Sequence, residues 1–277
     1  MLGHRTQRKN VSQERDYMEQ QTRGPKRKLP NVTLAAMTSV NIYETIRAME
    51  YSMQGITFGD VVLITHRKPL SLPRTIRYSH TSKLDNIDKF NYKMVYELGQ
   101  HIHTEFALIV HADGFVVHPE SWRDEFLNYD YIGSPWPLPE NDYSYRDARG
   151  EIIRVGNSVS IRSIRLMDFP GQAGLLWEKI EKEDEYNEDI FLCCKYRHLI
   201  EEAGMRFAPI EVAKYFGHEH MIPEIMDVEK PFVFHKWRGR NAQYPQFHNP
   251  WKARWQWCKD RIRPFLFWRR MKNGHSS

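Results

Sequence analysis

An apolar run that stops on a carboxylate constrains this chain most. Phe106-Ala-Leu-Ile-Val110 is followed at once by His111-Ala-Asp-Gly114, and apolar residues resume at Phe115. Five apolar residues in a row predict a strand buried on both faces. Such strands build α/β sheets, whose ligands bind outside the carboxyl ends of the strands. Asp113 therefore stands at a ligand-binding edge. Gly114 lets the backbone turn sharply and come close to a ligand.

The preceding segment sets the topology. Val32-Thr-Leu-Ala-Ala-Met37 reads as a first strand and Val61-Val-Leu-Ile64 as a second. Between them Ile42, Ile46, Met49 and Met53 recur at four, three and four, which predicts a helix capped by Asn41 or Ser39. Strand, helix and strand in this span form a βαβ unit and imply a parallel sheet. Phe90, Met94 and Leu98 predict a further helix leading into the strand at 106–110. A helix from Asn187 to Ala203 follows from Leu192, Tyr196, Leu199 and Ala203, with Gly204 at C′. Phe232-Val-Phe234 reads as a late strand ending in His235. The polar stretch 138–152 reads as a mobile loop.

Charge divides the 277 residues unevenly. Residues 1–30 carry 8 Lys/Arg against 3 Asp/Glu, and residues 236–277 carry 11 against Asp260 alone. The body between them is net −10, so a polyanion would meet the ends. The expected organisation is a basic disordered arm (1–30), one α/β domain (31–237) and a basic helical appendage (238–277). Residues 236–277 hold five of the eight tryptophans. Trp251, Trp255, Cys258 and Ile262 would share one helical face with lysines beside it. That pattern fits peripheral contact with an anionic membrane or stacking on nucleic acid. Three cysteines, two of them adjacent, argue against a disulfide framework. No apolar run reaches the length of a membrane span, and the N-terminus has no h-region. The expectation is a cytoplasmic protein, peripheral at most on the inner membrane face.

The motifs in series resemble the DUF5672 domain. They are Leu-Ile-Val-His-Ala-Asp-Gly-Phe-Val (108–116), Tyr-Asp-Tyr-Ile-Gly-Ser-Pro-Trp (129–136), Val-Gly-Asn (155–157) with Ser-Ile-Arg-Ser (160–163), Glu-Asp-Ile-Phe-Leu-Cys (188–193), Arg-Phe-Ala-Pro (206–209) and Phe-Val-Phe-His (232–235). Proteins of that family look like glycosyltransferases of the GT-A fold, a Rossmann-like and mostly parallel sheet flanked by helices. The resemblance implies transfer of a sugar from a nucleotide-sugar, UDP- or another NDP-linked, to an acceptor hydroxyl. The acceptor would be a glycan or lipid-linked saccharide, or a modified base in DNA.

The resemblance also implies a divalent cation, Mn²⁺ or Mg²⁺, on Asp113, with His111 in the place of a first carboxylate and His235 as a further ligand. Imidazole favours Mn²⁺. Inversion at the sugar carbon needs a carboxylate base, which the resemblance places at Asp189, with Glu188 as second choice. Thr38 and Asn41 stand where the nucleoside is received. Gly156, Asn157 and Arg162 would form the donor loop, Lys236 would contact phosphate, and Trp136, with Tyr129 and Tyr131, would offer a wall for the sugar to stack on. The stretch Val155-Gly-Asn-Ser-Val-Ser-Ile-Arg-Ser163 lacks the family's Gly-Gly. That departure and His111 motivate the alternative of a non-catalytic nucleic-acid-binding protein on a decayed transferase scaffold.

Overall fold

A computed structural model describes residues 26–178 and 187–249 of the chain. The chain divides into two units at Pro245 and Gln246, and only 246–249 of the second are described. The readings made for residues 1–25 and for the tryptophan-bearing helix from 250 lie outside the described residues. No helix among the described residues is long and apolar enough to cross a membrane.

The βαβ unit is present. Strand β1 (Arg27–Met37), helix α1 (Ile42–Ser52) and strand β2 (Ile56–Thr65) follow one another, and the two strands pair in parallel, with Met37 opposite Ile64. Val32, Leu34, Ala35, Ala36 and Met37 are almost wholly buried, as a strand covered on both faces must be. Ordered structure starts earlier than Val32. Arg27, Lys28 and Leu29 already pair with Ile56, Thr57 and Phe58. The register then shifts between Leu29 and Thr33, around Pro30. Proline has no N–H for the ladder, and a bulge is one place where a sheet accepts it. Asn41 takes the N-cap position of α1 in a left-handed conformation (φ 48°), without a capping side-chain bond. Ser39 instead accepts from the Leu84 N–H.

Strand β3 (Arg77–His80) extends the sheet beyond β2. Helix α2 (Ile87–Tyr96), capped by the Asn86 side chain, then returns the chain to β4 (Phe106–Ile109) on the opposite side of β1. Met94 of α2 packs in one cluster with Met37, Ile64 and Ile109. Strands β5 (Tyr131–Pro135) and β6 (Val155–Ser163) complete the order β3-β2-β1-β4-β6-β5. Strand β6 runs antiparallel to both β4 and β5, so the sheet is mixed but mostly parallel. Helix α3 (Ile164–Gln172) follows directly, capped by the Ser163 hydroxyl.

The helix expected over 187–203 is interrupted. A short α turn (Glu188–Ile190) passes into a π turn (Phe191–Lys195) before helix resumes at Arg197–Glu202. Gly204 follows with φ 78°, the left-handed stop the sequence predicts. A small parallel sheet of β7 (Gly217–His218) and β8 (Val233–Phe234) sets the segment after 218 beside the segment after 234.

Strand order changes direction at β1. From β1 the chain goes outward to β2 and β3, then crosses to β4 on the other side. The carboxyl ends of β1 and β4 thus flank a topological switch point, the crevice where sheets of this type bind ligands.

Candidate functional site

A cavity of about 460 Å³ opens at that switch point. The end of β1 supplies Thr38 and Asn41, and the end of β4 supplies His111 and Asp113. Ser158 of β6 and His235 after β8 close it. Among the described residues, no lysine or arginine lines this cavity.

The segment after β4 is a tight turn. His111 N–H donates to the Gly114 carbonyl at 2.7 Å. The Lys236 N–H donates to the Asp113 carbonyl at 2.8 Å, and Phe234 N–H to Phe115 at 3.3 Å. Gly114 is needed here for close approach to protein. A Cβ at Gly114 would lie 2.5 Å from Val159 Cγ2 and 2.8 Å from His235 Cδ2. The partner of that approach is the His235 segment rather than the ligand the sequence suggests.

Asp113 and His235 face each other, with Oδ1 and Nε2 3.8 Å apart. The His235 side chain is largely buried, whereas Asp113 is 43% exposed. His111 also lies in the wall, with its ring edge-on to Phe90 and 5.9 Å from the His235 ring. Burial first, and the neighbouring His235 second, push its pKa down to about 4, so the ring is neutral. The expected ligand set of Asp113, His111 and His235 is not assembled as one centre. Among the described residues, no three His, Cys, Asp or Glu side chains converge enough to hold an ion. Asp113 and His235 remain as a facing pair of donors.

Sequence reasoning missed Glu219. It follows β7, its side chain is 6% exposed, and it joins three parts of the site. Oε1 accepts from Lys236 Nζ at 2.6 Å, and Oε2 lies 3.3 Å from His235 Nδ1 and accepts from the Asn157 amide. Burial raises its pKa, but His235 and then Lys236 more than offset this, leaving it at about 2. A lone carboxylate between His218 and His220 was the available signal. Its meaning depends on β7–β8 pairing, which brings the segments after His218 and Phe234 together.

Asn157 continues the chain of contacts. Its N–H donates to Asp189 Oδ2 at 3.2 Å, its side-chain oxygen accepts from Val159 N–H at 2.9 Å, and its carbonyl accepts from the Tyr131 hydroxyl at 2.6 Å. The backbone is held at φ 104°, a conformation costly for a residue with a Cβ. Asp189 does not line the cavity. It connects to it through Asn157, whose neighbour Ser158 does. Desolvation first, then the charge of Glu188, raise the Asp189 pKa to about 7.

Glu188 has the opposite setting. It is 1% exposed and bonded to the equally buried Arg162 at 3.1 Å. An ionised pair this deep is a structural unit, and a carboxylate held by it is not free to take a proton from an acceptor.

Three further expectations are corrected. Gly156, Asn157 and Arg162 lie on strand β6 and not on a loop. Gly156 serves packing, because a Cβ there would fall 1.9 Å from the Trp136 ring. Trp136 itself is 4% exposed and stacks on Tyr145 with centroids 4.7 Å apart. Its ring is covered by protein, as is Tyr131 at 0% exposure, so neither offers a free stacking wall. Lys236 sits near the expected place, but its ammonium is engaged by Glu219.

A family profile described as "Protein of unknown function (DUF5672)" matches residues 75–235. No curated protein matches the chain. Among solved structures, the apo-form glycosyltransferase GlyE of Streptococcus pneumoniae TIGR4 is similar at 14% identity and a TM-score of 0.42, over 83% of this chain and 62% of that one. The mannosyltransferase PcManGT of Pyrobaculum calidifontis, in complex with GDP-Man and Mn²⁺, is similar at 12% identity and a TM-score of 0.35, over 73% of this chain and 63% of that one. The chain thus spans less than two thirds of either.

Proposed function

The chain belongs to the DUF5672 family, and we propose that it is an inverting glycosyltransferase using a nucleotide-sugar donor. The observation that carries this reading is the division of labour at the switch point. A cavity edged by the Asp113–His235 pair lies on one side of Asn157, and a carboxylate whose pKa is raised to about 7 is bonded to its N–H.

The cavity receives the nucleoside diphosphate, with Thr38 and Asn41 at the end of β1 and the diphosphate towards Asp113. With no Lys or Arg among the described residues that line the cavity, the diphosphate charge calls for a cation there. A carboxylate oxygen and an imidazole nitrogen 3.8 Å apart fit a cation held jointly with substrate oxygens and water, the usual arrangement for ions bound with phosphates. Asp113 and His235 would hold it, His235 favouring Mn²⁺. When bound, the cation offsets the negative charge that grows on the leaving diphosphate.

Asp189 is the base. Its carboxylate accepts the proton of the acceptor hydroxyl as that oxygen forms its bond to the anomeric carbon. The bond from that carbon to the diphosphate oxygen breaks, and its electron pair leaves with the nucleoside diphosphate. One displacement inverts the configuration. A base with a pKa near the working pH combines availability with driving force.

The acceptor we propose is the hydroxyl of a glycan or lipid-linked saccharide on the cytoplasmic side. Three cysteines, two of them adjacent, support a reducing compartment. The deciding experiment incubates the full chain with a panel of nucleotide-sugars, with and without Mn²⁺, and measures nucleoside diphosphate release and transfer to saccharide or DNA acceptors. Metal-stimulated release of one donor is expected. No turnover of any donor would refute the reading.

A further inference from the structure

We infer that the loop between β2 and β3 docks the chain on an anionic lipid surface, with Leu70 as its apolar contact and Arg67, Lys68 and Arg74 against the headgroup phosphates. The docking does not rest on the transferase reading; its consequence for the acceptor does.

The loop stands out by charge. The body of the chain, residues 31–235, is net −10, yet no Asp or Glu occurs between Asp60 and Asp85, a stretch that holds five Lys/Arg. Elsewhere on the surface cations find carboxylates, as in Arg47–Glu50, Lys89–Asp85 and Lys214–Asp227. Arg67, Lys68 and Arg74 are exposed and, among the described residues, none of them has a hydrogen bond or ion pair. Cations without a partner on an acidic body are available to an external anion.

The loop also presents an apolar tip. Leu70 is wholly exposed. Two successive turns shape the segment: the Leu72 N–H donates to the Pro69 carbonyl at 3.3 Å, and the Ile76 N–H to the Pro73 carbonyl at 3.0 Å. Leu70 and Arg74 stand at the corners of these turns, and the buried Ile76 fixes the second turn to the core. The two prolines restrict the backbone, so little ordering remains to be done on binding. A lone exposed leucine needs no explanation. A leucine at a turn corner among three unpaired cations matches the bilayer interface, where basic side chains meet phosphates and an aliphatic side chain enters the acyl boundary. Single-stranded nucleic acid is gripped by stacked aromatic rings, and residues 66–77 contain no Phe, Tyr or Trp.

Topology sets the direction. Strands β1 and β2 are parallel, so the loop leaves β2 on the same carboxyl edge as the cavity. His66 Nδ1 lies 3.1 Å from Ser39 Oγ, and Ser39 lines the cavity. Val40 and Ile87, both exposed and both on the cavity lining, add apolar surface to this edge. A chain docked through the loop presents its cavity edge to the membrane, where a lipid-linked saccharide carries the acceptor hydroxyl.

The test takes the full chain and vesicles of phosphatidylcholine with and without phosphatidylglycerol, read by co-sedimentation, with DNA binding measured in parallel. Wild type should bind the anionic vesicles far more tightly than the neutral ones. Each cation removed should weaken that binding about fivefold, and Arg67→Gln, Lys68→Gln and Arg74→Gln combined about 100-fold. Leu70→Ser should weaken it roughly tenfold or more. Tm should not move, since all four side chains are exposed. No binding of the wild type to anionic vesicles overturns the inference. So does a triple variant within about twofold of wild type, which with a loss of DNA binding would assign the loop to nucleic acid. Leu70→Ser within about twofold of wild type would leave only a general polyanion surface and overturns it as well. No nucleotide-sugar enters this assay, so a failure of sugar transfer leaves its outcome unchanged.

Discussion

Glu188 and Asp189 are adjacent carboxylates in opposite settings, and replacing each with its amide should separate them. In Glu188→Gln the buried Arg162, itself 1% exposed, loses its counter-charge. Breaking such a pair from one side costs about 3–5 kcal/mol, a fall in Tm of roughly 6–20 °C for a domain of this size. In Asp189→Asn the single amide oxygen can serve only one of the two backbone N–H groups, of Asn157 and Ile190, from which the carboxylate accepts. The carboxyl ordinarily titrates at 3.8 and is raised here to about 7, so the folded protein keeps a proton that the unfolded chain releases. The raised pKa sets the sign. The folded state binds the extra proton between those two values, so this group's contribution to stability falls as pH rises from about 4 to about 7. Asp189→Asn should remove that decline and cost about 1–3 kcal/mol for the one backbone N–H left without an acceptor, less than Glu188→Gln. Its kcat should drop about 10²–10⁴-fold. In the wild type kcat should climb about tenfold per pH unit up to a plateau near pH 7, and Asp189→Asn should lose that limb. Thermal melts across pH and kcat–pH profiles of both variants are the assay. If Glu188→Gln kills turnover with an unchanged Tm, and Asp189→Asn keeps turnover, the assignment of base and buried ion pair is inverted and the reasoning fails.

Other outcomes follow from the same geometry. Asp113→Ala should lower kcat/KM by on the order of 10²-fold or more while Tm barely moves, since the side chain is well exposed and only its backbone holds the turn. Gly114→Ala should cost about 1–3 kcal/mol and weaken Mn²⁺ binding, because the new methyl pushes on Val159 and His235; calorimetry and Mn²⁺ titration check both. Trp136→Ala should cost about 3–5 kcal/mol and leave the donor KM of the folded protein unchanged. A raised KM at constant Tm would restore Trp136 as a sugar-stacking residue.

The elements legible in the sequence were those whose signal is local. The apolar runs of β1, β2 and β4 are continuous because both faces are covered, and α1 shows its helical period. The end of β4 was legible as an edge because a carboxylate and a glycine interrupt the run. Strand β6 was not. Val155–Ser163 mixes serine, asparagine and arginine, and its reversed direction follows from pairing with β4 and β5 rather than from composition. Glu188 and Asp189 were legible as a pair but not as opposites, because the difference lies in Arg162, which stands on another element. The part of the first strand from Arg27 to Asn31 was not legible, because its polar residues are mostly exposed and Pro30 interrupts the apolar run.

The site differs from the rest of the fold in where strain is placed. Of the four positive-φ residues other than glycine among those described, Asn41 lines the cavity and Asn157 and Lys236 bond to Glu219. The fourth, Tyr145, stacks on Trp136, which packs against Gly156 beside Asn157. Each such conformation costs on the order of 1–3 kcal/mol. A fold selected for stability alone would relax them with glycine. Retaining side chains there makes sense where the side chain does the work: the Asn157 amide and the Lys236 ammonium both reach Glu219, which glycine could not do. The strain is thus the consequence of needing a left-handed backbone and a polar side chain at the same position, and at Asn157 and Lys236 that double demand meets on one buried carboxylate, Glu219.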